Sequence, residues 1–95
     1  MSGAEMRSIR AKVRGRVQGV GFRWFVLYEA RALGLTGMVR NDRDGNVEVT
    51  AEGEKATLDE LIKRLKEGPS GANVTGVDIE WEQNTGKHSV FEIQI

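Results

Sequence analysis

The chain has 95 residues, 39% of them hydrophobic and 29% charged, which is enough for one buried core and too little for two. There is no cysteine and a single histidine, His88, which excludes disulfides, thiolate chemistry and a zinc cluster built on cysteine or several histidines. No apolar run reaches membrane-spanning length and no signal-like stretch precedes the first periodic segment, so a cytoplasmic protein without membrane contact is expected.

The formal net charge is zero but unevenly spread. Residues 1–43 hold nine Lys/Arg against three Asp/Glu, and residues 44–95 hold five against eleven. An anionic ligand is therefore expected on the first half.

Residues 1–6 are small or polar without periodicity and read as a disordered tail, leaving 7–95 as a single domain. From Ile9 the chain alternates, with Ile9, Ala11 and Val13 on one side and Arg10, Lys12 and Arg14 on the other, which predicts a strand with one basic face. Next comes Gly15 to Arg23, G-R-V-Q-G-V-G-F-R, with three glycines and two arginines in nine residues. Such a junction can cradle an anion, because glycines let backbone N–H groups converge, a helix start adds partial positive charge and arginine adds a two-pronged donor.

Phe22, Phe25, Val26, Glu29, Ala30 and Leu33 form a stripe that predicts a helix over about Arg23 to Leu33, ending at Gly34. Arg23 then falls in the first turn, where a cation is electrostatically awkward unless an anion lies beside it. Trp24 and Tyr28 lie four apart on another face, as ordinary packing or partial exposure would have them. Gly37 to Asn41 predicts a second strand, and Asp44-Gly45 a tight turn into a third, Val47 to Glu52.

Leu58, Leu61, Ile62 and Leu65 predict a second helix that stops at Gly68-Pro69. Ser70 to Gly76 reads as a connection, Val77 to Glu82 as a fourth strand with an acidic outer face, and Phe91 to Ile95 as a short last strand. His88, beside the preceding turn, reads as a surface residue.

This order predicts an α+β domain, a ferredoxin-like split βαβ sandwich with two helices on one face of a mostly antiparallel sheet and an additional short C-terminal strand. Right-handed crossovers place the third strand between the first and second, so those two run parallel and the glycine loop comes near Asn41.

The groups so gathered are backbone N–H donors from about Val17 to Phe22, Arg23, Arg16 and the Asn41 carboxamide. None is a nucleophile at neutral pH. They suffice to hold a phosphate and position a water, which fits acyl phosphates, whose carboxylate leaves readily, better than phosphate esters.

The two motifs, Gly15 to Arg23 and Gly37 to Glu48 (G-M-V-R-N-D-R-D-G-N-V-E), resemble the phosphate-binding loop and the asparagine-bearing segment of the acylphosphatase family, and the resemblance runs from Ile9 to Ile95. It implies that Arg23 clamps the phosphate and that Asn41 orients the attacking water through its side-chain oxygen. Loop amides of Val17, Gln18, Gly19, Val20, Gly21 and Phe22 would bind the other phosphate oxygens, with Arg16 as a further phosphate-binding residue. It further implies a small monomeric cytosolic enzyme needing no metal or cofactor, with an acyl phosphate as substrate and inorganic phosphate as product and inhibitor. The family's usual tryptophan in the second motif is Met38 here, a packing variation if it faces the core and an influence on substrate preference if it lines the site.

Two other readings compete. An RNA-binding module would use the basic face of the first strand, but no exposed aromatics accompany it and the neighbouring strands are acidic. A regulatory domain that binds an anion without turning it over is compatible with the fold, though retention of both Arg23 and Asn41 speaks against it.

Overall fold

The computed structural model describes residues 5–95. Its elements are β1 (Met6–Arg16), α1 (Phe22–Ala32), β2 (Thr36–Asn41), β3 (Val47–Glu54), α2 (Lys55–Glu67), β4 (Asn73–Gln83) and β5 (Phe91–Ile93). The five strands form one sheet in the order β4-β1-β3-β2-β5. β3 is antiparallel to both β1 and β2, so β1 and β2 run parallel as their alternation and crossover require, and β5 adds in parallel to the outer side of β2. This is the α+β ferredoxin-like arrangement.

One sheet face is apolar because the strands alternate: Ile9, Ala11 and Val13 of β1 and Val47, Val49 and Ala51 of β3 are fully buried. Both helices cover that face. α2 lies over β1, β3 and β4 through Leu58, Leu61 and Leu65, all without exposure, and each such leucine contributes about 1.5–3 kcal/mol by leaving water. α1 lies over β2 and β5 through Phe22, Val26, Leu27 and Ala30. Glu29 falls in the α1 stripe by spacing but stays half-buried at its edge, where Arg64 of α2 bridges it at 2.7 Å and Glu60 at 3.2 Å, fixing one helix against the other.

The opposite sheet face is polar and charge-compensated. Arg14 pairs with Asp78 at 2.6 Å, Arg40 with Glu48 at 2.6 Å and Arg10 with Glu82 at 3.8 Å. The cations of β1 are thus flanked by carboxylates of β3 and β4.

Several boundaries differ from expectation. β1 begins at Met6, paired with Glu54, because the end of β3 offers it a partner; the tail expected over 1–6 is therefore too long, and residues 1–4 lie outside those described. β4 begins at Asn73 rather than after Gly76, because a register shift at Arg14/Gly15 lets β1 bend and keep pairing. Gly15 permits that approach: with φ 120°, a Cβ there would sit 2.1 Å from the Asn73 carbonyl oxygen.

Glu52, which alternation with Val47, Val49 and Ala51 puts on the sheet face away from the helices, is nevertheless buried at 4% exposure. The chain between β4 and β5 crosses over it, and its carboxylate accepts hydrogen bonds from Thr85 N–H (2.9 Å), Thr85 Oγ1 (2.6 Å) and Gly86 N–H (3.0 Å). Burial by itself would raise the pKa of this carboxyl. The hydrogen bonds from Thr85, Gly86 and the Ser8 hydroxyl outweigh burial and hold it below its ordinary value. His88 is half-buried beside the same groove.

Candidate active site

The site is built from the turn between β1 and α1. Val17 and Phe22 are each 1% exposed, so both ends of the turn are anchored in the core, with the partly buried Gln18 and Val20 and two exposed glycines between them. Gly19 (φ 75°) and Gly21 (φ 77°) take left-handed conformations that reverse the chain within five residues. Gly21 is also the N-cap of α1, with no side-chain cap and no acidic residue in the first turn.

The first helical bond runs from Phe25 N–H to the Gly21 carbonyl at 3.0 Å. The N–H groups of Phe22, Arg23 and Trp24 therefore have no partner within the helix. The partial positive charge of this helix start is uncompensated, and Arg23 adds a full one. Among the described residues Arg23 enters no ion pair, in contrast to Arg10, Arg14, Arg40 and Arg64. Arg16, at the exposed end of β1 opposite Asn73, is likewise outside every ion pair of the described residues.

β3 brings Asn41 to this turn. Val13 of β1 and Asn41 of β2 both stand opposite Val47, so they are two strand spacings apart, about 10 Å, level with the approach to the loop. Asn41 shares its sheet face with the core residue Val39, the face on which α1 lies. Its Oδ1 is buried and, among the described residues, takes no hydrogen bond. A buried acceptor without a donor typically costs about 1–3 kcal/mol. Met38 lies on the opposite face, in a groove with Thr50 and Glu52. It is outside the core, so the packing variation expected of a core position does not apply to it.

The loop and the hairpin after Asn41 are joined by a side chain to which spacing gave only a backbone role. Gln18 Nε2 donates to the carbonyls of Asp42 (3.0 Å) and Asn46 (2.9 Å). The hairpin is shaped from within by Asp42, whose Oδ1 accepts from Asp44 N–H (2.8 Å) and Asn46 N–H (3.0 Å). Its Oδ2 has Lys12 Nζ at 3.8 Å, an ion pair longer than a hydrogen bond. Asp-x-x-Gly-Asn after the strand was the available signal for the Asp42 turn. Nothing in the sequence marked Gln18, since its partners lie 24 and 28 residues away.

Comparison with known proteins bears on the whole chain. The family model described as Acylphosphatase matches residues 9–93. An acylphosphatase of Acaryochloris marina is 46% identical over 85 residues, covering 90% of this chain and 90% of its own. One of Salinibacter ruber is 43% identical over 93 residues, covering 98% and 97%. The crystal structure of acylphosphatase from Bacillus subtilis superposes with a TM-score of 0.91 at 38% identity, covering 94% of this chain and 99% of that one. With the fold, both motifs and nearly full mutual coverage in agreement, the chain belongs to the acylphosphatase family of hydrolases.

Proposed function

We propose that the chain hydrolyses acyl phosphates to a carboxylate and inorganic phosphate, with Arg23 and the loop amides holding the phosphate and Asn41 orienting the water. The observation that carries this reading is the pairing of an uncapped, arginine-bearing helix start with a buried carboxamide oxygen that lacks a donor. The first half calls for an anion. The second calls for a hydrogen-bond donor, and beside an anion the donor that fits is water.

Water held by Asn41 Oδ1 attacks phosphorus, a new P–O bond forms, and the bond to the acyl oxygen breaks with its electron pair leaving on the carboxylate. The water's proton passes to a phosphate oxygen. Because a carboxylic acid has a pKa near 4, the leaving group needs no general acid, which matches a site assembled without one. Charge building on the phosphoryl oxygens is met by preset donors, the largest source of catalysis open to such a site.

A domain that only binds an anion would gain nothing from an acceptor at that place, since a carbonyl oxygen repels phosphate. Arg16 fits this scheme as a contributor to the field around the loop. The test is phosphate release from benzoyl phosphate in excess chelator, with the parent beside R23A and N41A. Turnover that survives chelation and collapses in both variants is expected; turnover no faster than spontaneous hydrolysis from a folded, phosphate-binding parent would overturn the reading.

A further inference from the structure

We infer that Trp24, backed by Tyr28, forms the subsite for the acyl half of the substrate and selects for aromatic acyl groups. The inference rests on the hydrolytic reading above, but uses residues that reading leaves idle. Trp24 is 59% exposed and Tyr28 65% exposed, although both are large and apolar. Their ring centroids lie 6.3 Å apart in a tilted pair at 33°, within the range in which aromatic side chains interact.

Position on the helix says what the pair faces. At about 100° per residue, Arg23 falls on the same side of α1 as Val26, Leu27 and Ala30, which face the sheet, whereas Trp24 and Tyr28 fall on the opposite side. Helical side chains lean toward the N-terminus, so the indole of Trp24, in the first turn, reaches back over the helix start where the phosphate is held. In phosphoryl transfer the entering and leaving oxygens lie roughly in line. Water at Asn41 is on the sheet side of α1, so the acyl group leaves on the far side, where the indole stands. Elsewhere the loop offers glycine backbone, the tied Gln18 and the partly buried Val20, so Trp24 is the flat apolar surface an acyl group meets.

The experiment compares kcat/KM for benzoyl phosphate and acetyl phosphate in the parent, W24A, W24F and Y28A, together with calorimetric binding of benzylphosphonate and methylphosphonate. The benzoyl-to-acetyl ratio should fall about fivefold to tenfold in W24A, chiefly through KM, less in Y28A and least in W24F. A merely structural role would lower both substrates alike and leave the ratio in place; an unchanged ratio in W24A overturns the inference. If the parent hydrolyses neither substrate the hydrolytic reading fails, and the phosphonates decide the subsite separately: tighter binding of benzylphosphonate that W24A abolishes supports it, and equal binding of the two by the parent overturns it.

Discussion

Two loops of this protein are each fixed by one side chain, with opposite polarity. Around the turn between β1 and α1, Gln18 spends its N–H groups on two carbonyls of the neighbouring hairpin, so the loop is tied without using its own backbone donors. Between β4 and β5, Glu52 accepts two backbone N–H groups and a hydroxyl, so that loop's donors are consumed. In one place the chain supplies its own anion; in the other it leaves backbone donors open, as the proposed phosphate site requires. Both loops are therefore ordered, and they differ in the direction of the hydrogen bonds that tie them.

Substitutions can break each half of this contrast. R23A should have the largest effect, lowering kcat/KM by about 10³ and weakening phosphate inhibition, read from steady-state kinetics with added phosphate. N41A should lower kcat by about 10²-fold while the phosphate inhibition constant stays near the parent's, because holding phosphate and placing water are separate tasks. Equal loss of both would merge them. E52Q should cost about 1–3 kcal/mol in urea unfolding at neutral pH with turnover retained, since its loop carries no chemistry.

The pH dependence has a defined sign. Glu52 titrates lower in the folded chain than its ordinary 4.5, so its stabilisation is complete above that value and is lost as pH falls through the folded one. The stability gap between parent and E52Q should therefore close in acid, checked by urea curves from pH 7 down to about 3. Q18A should have the smallest effect: a several-fold rise in KM and about 1 kcal/mol of stability, without any pH dependence of its own.

What was legible in the sequence was whatever depends on near neighbours or on handedness. Alternation in Ile9–Val13 and Val47–Ala51 and the leucine spacing of α2 gave the elements, and crossover chirality gave the place of β3. The approach of the two motifs was legible from the strand order, and the shared partner Val47 explains why β1 and β2 present their ends side by side. The burial of Glu52 was not legible, because alternation gives a face and not what later chain crosses it, here residues 33 and 34 further on. Trp81 misled in the other direction: its spacing puts it with Val77 and Ile79, yet it is 38% exposed at the sheet edge, with Lys55 Nζ 5.2 Å from its ring centre. The early start of β4 depended on a bulge that Gly15 allows but does not announce.

The position of β1 has a consequence for how the protein is made. First among the described strands in the chain, β1 is interior in space, paired along its length with β3 and with β4, whose last partner is Gln83. The loop that follows it is synthesised before β3 and β4, yet the strand that aims that loop gains its second neighbour only once β4 has been made. Pairings of such long sequence separation slow folding and keep strand edges open in the meantime, so the turn after β1 depends for its aim on a strand that lies far along the chain from it.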